Sequence, residues 1–513
     1  MKKQKRKSFN LKSSRLVIVL ISMALQVTWL VVIMWILKRH YVIVASCTRV
    51  MALLLVLMLY WKETNAAFKM PWMILTMTFP ILGISLYFLM GRPEPGHRLQ
   101  KRFDAIDDTL FAELDTDTGS REQLRAKCPR AANLSAYIKN YSRYPLYQNT
   151  EITFYDDAAK GLEAQISAMQ EAEQFIFLEY HAFEDSEAFR GVKEILYEKA
   201  RQGVDVRIIY DDVGCVSYLG PEFRRELKAN GVKCRRFNPV IPILSPLINN
   251  RDHKKITVID GKTGFTGGYN LTDEYFNITH PYGHWKDTGV ELRGSAVSSL
   301  TVMFLEMWDA LRQEDPDYEV FLPVETHSET ENVTDGFVQP YADTPLDTEP
   351  LGENIYMSMI KMADRYVWFT TPYLIISDEM ARELILAAKR GVDVRIITPG
   401  IPDKKMIYQV TRSYYEKLLA GGVRIYEYTP GFLHAKQCIC DDNACVVGTV
   451  NLDYRSLYLH FEDGVFFYGC SAAADVKRDF IESFAVSREV KDQKVTFPVR
   501  LWRAILRLFA PMM

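Results

Sequence analysis

Two stretches of one amino-acid sequence place the same three polar side chains at the same spacing: His253, Lys255 and Asp260 in HKKITVID, and His434, Lys436 and Asp441 in HAKQCICD. On a strand, positions i and i+2 face the same way, so the His and Lys of each copy project together. GGYN, ending at Asn270, follows the first copy, and GTVN, ending at Asn451, follows the second at the same offset. Two imidazoles flanked by two ammonium groups and two carboxamides suit a phosphodiester. One imidazole attacks phosphorus while the other protonates the leaving oxygen, and the roles then reverse for the acceptor. Lys255, Lys436, Asn270 and Asn451 would hold the nonbridging oxygens, and no metal is required.

Elements of alternating type must position these residues. TEITFY, FIFLEYHAF and VDVRIIYDD read as strands, with the helical patterns GLEAQISAMQEAEQ and EAFRGVKEILYEKARQG between them. That alternation implies a layered α/β fold. GVDVRII occurs at 203–209 and again, identically, at 391–397. Repetition at a domain-sized period indicates a tandem duplication and excludes a solenoid. The expected fold is therefore α/β, two tandem repeats forming one pseudo-twofold catalytic unit, preceded by N-terminal transmembrane helices. The expected division is a membrane anchor over 1–91, a juxtamembrane connector over 92–135, a first repeat over 136–335, a second over 336–499, and a basic amphipathic segment over 500–513.

The anchor reading rests on local patterning. A basic N-terminus precedes a charge-free apolar run over 16–37, and a second such run covers 70–90. The run over 41–61 is a possible third span, with Arg49 in its middle. Arginines flanking the last run favour an even number of spans, whereas hydropathy alone favours three. The formal net charge of −2, from 62 basic and 64 acidic residues, excludes an overall nucleic-acid binder. Cys438, Cys440 and Cys445 lie too close for mutual bridging and lack the spacing of a zinc site, so free thiols are expected.

The paired motifs resemble the phospholipase D superfamily, whose hallmark is two HKD motifs in one active site, and within it the bacterial cardiolipin synthases. NNRDHKKITVIDGKTGFTGGYNLTDEY and GHWKDTGVEL carry the likeness in the first half. GFLHAKQCICDD and GTVNLDYRSLYLHFED carry it in the second, and KMPWMILTMTFPILGISLYFLMGR and RLFAPMM extend it. The resemblance implies a metal-independent phosphatidyltransferase with no cofactor, acting on phosphatidylglycerol in a bacterial cell membrane through a phosphatidyl-histidine. His253 and His434 would be nucleophile and general acid/base, with Lys255, Lys436, Asp260 and Asp441 completing the catalytic motifs. Asn270 and Asn451 would bind phosphate, and Asp287 and Glu462 would each orient the opposing histidine. His460 departs from the family pattern, which has asparagine there.

Rival readings share these motifs. A phospholipase D hydrolase or a phosphatidylserine-making relative would use water or serine as acceptor, and a membrane scaffold would carry an inactive site. Two further stretches stay open: VIPILSPLI at 240–248 is either a lipid-dipping or a packed loop, and VRLWRAILRLF near the C-terminus lies on lipid or packs on the domain.

Overall fold

The computed structural model describes residues 41–91, 97–112, 114, 119–240, 249–313, 318–322, 336–491 and 495–512, with scattered positions between 21 and 35. Two mixed sheets carry the fold. The first has seven strands in the order Thr150–Tyr155, Gly289–Gly294, Thr263–Gly267, Lys255–Ile259, Phe175–Tyr180, Asp205–Asp211, Lys233–Phe237. The second runs Phe337–Asp343, His460–Tyr468, Ala444–Gly448, Gln437–Cys440, Tyr366–Thr370, Asp393–Pro399, Arg424–Tyr428, Ser487–Glu489.

Strand alternation sorts each sheet into two cores. Phe175 and Phe177 face a central cluster shared with Trp368, Ile439 and Val465 of the second sheet. Their neighbours Ile176 and Leu178 face an outer cluster with Leu162 and Leu196 of the helices Ala158–Glu171 and Glu187–Arg201. Both faces are covered, so the strands read as continuous apolar runs. The helix Val297–Leu311 lies in the central cluster and is apolar almost all round, as a buried helix must be.

The repeated GVDVRII does the same work twice. Gly203 and Gly391 take φ of +95° and +96°, the left-handed conformation that ends a helix before a strand. Arg207 then pairs with Asp205 and Arg395 with Asp393, at 2.7 Å in both repeats.

The N-terminal expectations are corrected in part. The apolar run over 70–90 does not form one spanning helix. Ala66–Thr78 and Pro80–Met90 are separate helices of 13 and 11 residues, roughly 20 and 17 Å long against a hydrocarbon core of about 30 Å. Pro80 interrupts the helical ladder after Phe79, whose backbone leaves the helical region. The chain then folds back on itself, bringing the Trp72 and Tyr87 rings to 5.7 Å. Gly83 makes the close approach possible, since a Cβ there would stand 2.4 Å from Thr76 Cα.

Tyr41–Trp61 is a 21-residue helix that contributes Leu55 and Leu59 to the same small core. Neither Ala66–Thr78 nor Pro80–Met90 is long enough to cross a membrane by itself. The run over 16–37 lies in large part outside the described residues, as does the loop 240–248 apart from Val240.

The stretch expected as a connector is built into the fold. His97–Ala112 buries Phe103, Ile106 and Leu110, at helical spacing, in the central cluster. All eight cysteines are free.

Candidate active site

Two short parallel pairings between the repeats assemble the site. Arg251–Asp252 pairs with the start of the strand His460–Tyr468, with Phe461 opposite Asp252. Gly431–Leu433 pairs with His284–Lys286, with Leu433 opposite Lys286. The next residue on each chain is therefore a histidine on one side and an acid on the other. His253 Nδ1 meets Glu462 Oε2 at 2.8 Å, and His434 Nδ1 meets Asp287 Oδ2 at 2.7 Å. The backbone repeats the match, as the His253 amide donates to Phe461 O at 2.8 Å and the His434 amide to Lys286 O at 2.7 Å. A carboxylate accepts, so each Nδ1 carries the proton and each Nε2 keeps a lone pair for chemistry.

The two acids are held differently. Gly268 leaves space for Asp287, because a Cβ at that position would stand 1.9 Å from Asp287 Oδ1. Thr449 occupies the equivalent place in the second repeat, and its hydroxyl donates to Glu462 Oε2 at 2.5 Å. Asp463, which follows Glu462 as Thr288 follows Asp287, accepts from Thr266 Oγ1 and from the Lys255 amide. Burial pushes its carboxyl up to about 7.

Lys255 and Lys436 are buried. Burial lowers Lys255 to about 8 and Lys436 to about 7, the charge of Lys255 adding to the effect on Lys436. Lys255 Nζ donates to His253 O at 2.6 Å. Lys436 Nζ lies against the His434 ring, 2.6 Å from Nδ1 and 3.0 Å from Nε2, and also donates to His434 O. Burial and the Lys436 ammonium lower His434 to about 3 against the pull of Asp287. Burial and Lys255 hold His253 well below its ordinary value. Asp287 is lowered although burial opposes it, because Lys436 and His434 favour its charge. The site thus holds neutral imidazoles in a field that favours an anion.

Asn270 and Asn451 are both buried. Asn270 is engaged within the protein: its Oδ1 accepts from the Ala182 amide at 3.1 Å and its Nδ2 donates to Tyr275 Oη at 2.8 Å. Among the described residues Asn451 Oδ1 has no hydrogen-bond partner. Asp260 and Asp441 are not brought to the histidines. Asp260 accepts from the amides of Glu173, Gln174 and Phe175, and Asp441 from those of Asp364, Arg365 and Tyr366. Each closes the far end of its strand and holds backbone there, as expected of a group that does not transfer protons.

Four neighbours were not singled out in the sequence. His181 packs 5.1 Å from the His253 ring, its Nδ1 on Asp252 O, and Tyr275 packs 5.2 Å from His434. Thr449 and Asp463 are the others, and only their place within GTVN and HFED marks them. His460 Nδ1 stands 3.5 Å from Glu462 Oε1. His253, His460 and Glu462 bring ligand atoms within 4.8 Å of one another, but Lys255, Lys436 and Arg455 surround them with positive charge that opposes a cation.

A family profile described as "Cardiolipin synthase, PLD-like domain" matches residues 165–308 and 356–484, each interval containing one His-Lys motif. The chain belongs to this phospholipase D-like cardiolipin synthase family. It is similar to a cardiolipin synthase of Geobacillus kaustophilus, 32% identical over 478 residues that cover 92% of this chain and 93% of the relative. An uncharacterized protein of Streptococcus mutans is 39% identical over 89% of this chain and 99% of its own length. The fold resembles that of a phosphatidylserine synthase of Haemophilus influenzae, with a TM-score of 0.55, 14% identity, and coverage of 74% of this chain and 99% of that one.

Proposed function

We propose that the chain is a phosphatidyltransferase that makes cardiolipin from two molecules of phosphatidylglycerol. One histidine Nε2 attacks the phosphorus of the first molecule, forming a P–N bond as the P–O bond to glycerol breaks. The opposing histidine, protonated as the anionic substrate enters, gives its proton to the departing glycerol oxygen. A hydroxyl of the second phosphatidylglycerol then yields its proton to that imidazole and attacks phosphorus, releasing the first histidine. Lys255 and Lys436 neutralise the nonbridging oxygens, and a phosphate drawing the Lys436 ammonium away would free His434 Nε2. Asn451 serves as a further phosphate contact through its amide.

The crossed His–acid pairs carry this reading, because both tautomers are set and both Nε2 atoms belong to one site. Membrane placement fits the substrates. The helical hairpin at 66–90 docks beside the site: Asn65 Nδ2 donates to Tyr458 Oη at 3.1 Å, and Asn249 Nδ2 to Met90 O at 3.4 Å. We read residues 1–91 as the membrane anchor, with 70–90 entering as a hairpin covered by Tyr41–Trp61, and the two repeats as a catalytic unit on the cytoplasmic face.

The test is lipid analysis after expression in a bacterial host devoid of cardiolipin, with labelled phosphatidylglycerol. Cardiolipin and free glycerol are expected. Phosphatidic acid alone would make the chain a hydrolase, and unchanged lipids would make it a scaffold.

A further inference from the structure

The helix Phe497–Leu508 is mounted with its apolar side outward. Its sequence FPVRLWRAILRL sets Phe497, Leu501, Trp502 and Ile505 on one arc, joined by Phe509, and Arg500, Arg503 and Arg507 on the other. A helix packed on a water-exposed domain buries the apolar arc. Here Phe497 is 75% exposed, Leu501 51%, Trp502 52%, Ile505 44% and Phe509 44%, and Leu506 alone in this helix is buried.

The arginine side instead lies against the helix Lys405–Ala420. Arg503 Nε donates to Gln409 Oε1 at 3.3 Å, Arg500 to Glu416 Oε1 at 2.9 Å, and Arg507 stacks over Tyr414 at 4.2 Å. Between the two helices, a cavity of ≈ 190 Å³ is lined by Arg412, Arg500, Arg503 and Lys491 among others. Five basic side chains, Arg412, Lys491, Arg500, Arg503 and Arg507, line it against one acid, Glu416, so the cavity favours an anion.

A second exposed apolar surface lies on a helix that packs against this one. Leu506 and Ala510 share one core with Ala67 and Phe68 of the helix Ala66–Thr78. That helix exposes Met70, Ile74 and Met77. A second protein copy would have to match the shape of both outward apolar surfaces at once. A bilayer covers both without a shape requirement, and anionic headgroups match the arginines.

We propose that Phe497–Leu508 is a second membrane contact, lying in the plane of an anionic phospholipid surface beside the N-terminal hairpin, with the arginine-lined cavity at its flank receiving a lipid phosphate. This rests on the membrane reading of residues 1–91. Its consequence is that the catalytic unit is held at two points, which fixes the tilt of the site over its substrate.

The full chain is reconstituted in vesicles of phosphatidylcholine, with or without phosphatidylglycerol, carrying an environment-sensitive dye on Ile505→Cys. Dye-treated parent protein supplies the background from its native cysteines. We expect blue-shifted emission, quenching by bromines on the acyl chains, and at least a twofold rise in quenching when phosphatidylglycerol is present. Water-like emission would overturn the proposal, as would a shielded dye that bromines do not quench, which marks a second copy as the cover. Quenching indifferent to phosphatidylglycerol would overturn the headgroup assignment. Retention after an alkaline wash separates the two readings: a chain washed off fails the anchor, whereas a retained chain with a wet dye fails this proposal alone. As a second variant, Leu501→Ser/Ile505→Ser is expected to keep its retention and its turnover in detergent micelles and lose at least threefold on vesicles. Equal turnover on vesicles would count against it.

Discussion

Asp287 and His434 lie 147 residues apart in sequence and 2.7 Å apart in space, joined across the boundary between the two repeats. The parallel pairing of His284–Lys286 with Gly431–Leu433 delivers them in register, and a one-residue slip would put Lys286 where the acid stands. Glu462 and His253 repeat the arrangement in the other direction. Neither repeat holds a complete site alone.

Asp287→Asn and Glu462→Gln test what these acids do. Either amide can donate to Nδ1 and stabilise the tautomer whose Nε2 bears the proton, removing the lone pair. A fall in kcat of roughly 10²- to 10⁴-fold is expected, with KM changed little. An equal rise in KM would point to substrate binding instead.

Thr449 and Gly268 test the unequal support of the two acids. Thr449→Val removes one hydrogen bond to Glu462 and should lower kcat about tenfold. Gly268→Ala forces a Cβ into the place of Asp287 Oδ1 and should cost more than Thr449→Val does, with the melting temperature measured in parallel. A milder effect from Gly268→Ala would mean Asp287 has room to move.

Asp260 and Asp441 test stability apart from chemistry. Each accepts three backbone amides and sits at positive φ, 52° and 50°, where Asp and Asn are the best-tolerated residues with a side chain. Asp260→Asn should cost roughly 1–3 kcal/mol in denaturant unfolding and leave kcat within a few-fold at a temperature where the variant stays folded. A collapse of kcat in the folded variant would return Asp260 to the catalytic groups.

Much of this was legible for stated reasons. Duplicated GVDVRII and the paired HKD spacing encode the tandem architecture, because identical local sequence meets identical helix-to-strand turns. HWKD and HFED could be assigned to the opposing histidines only through family resemblance, since nothing within either motif specifies a register between repeats. Thr449, His181 and Tyr275 were invisible because their roles depend on neighbours distant in sequence. The run over 70–90 misled for another reason. Hydropathy sums apolar content over a window, and a reversal made by Phe79, Pro80 and Gly83 does not change the sum. Helical spacing in 97–112 was readable, but a charged surface concealed that Phe103, Ile106 and Leu110 face a core.

Lys436 makes the site's cost to the fold measurable through pH. Its folded value is about 7 because burial penalises the ammonium, whereas an unfolded lysine sits near 10.5. Between those values the unfolded chain binds more protons, so stability rises with pH across that window and is lowest below it. Lys436→Met removes the titration and the penalty together. The melting temperature of the parent should therefore climb from pH 7 towards pH 10 more steeply than that of Lys436→Met. At pH 6 the variant should be the more stable of the two while transferring no phosphatidyl groups. His434 adds a slope of the same sign and origin lower down. Folded near 3 and near 6.5 when unfolded, it lets the unfolded chain take up a proton first, so stability is lost as pH falls through 6.5. That loss should weaken in Lys436→Met, where burial alone still holds His434 down, and vanish in His434→Gln. Parallel pH profiles for parent and Lys436→Met above pH 7 would mean that Lys436 is not the buried, strained cation on which the phosphate-binding role depends.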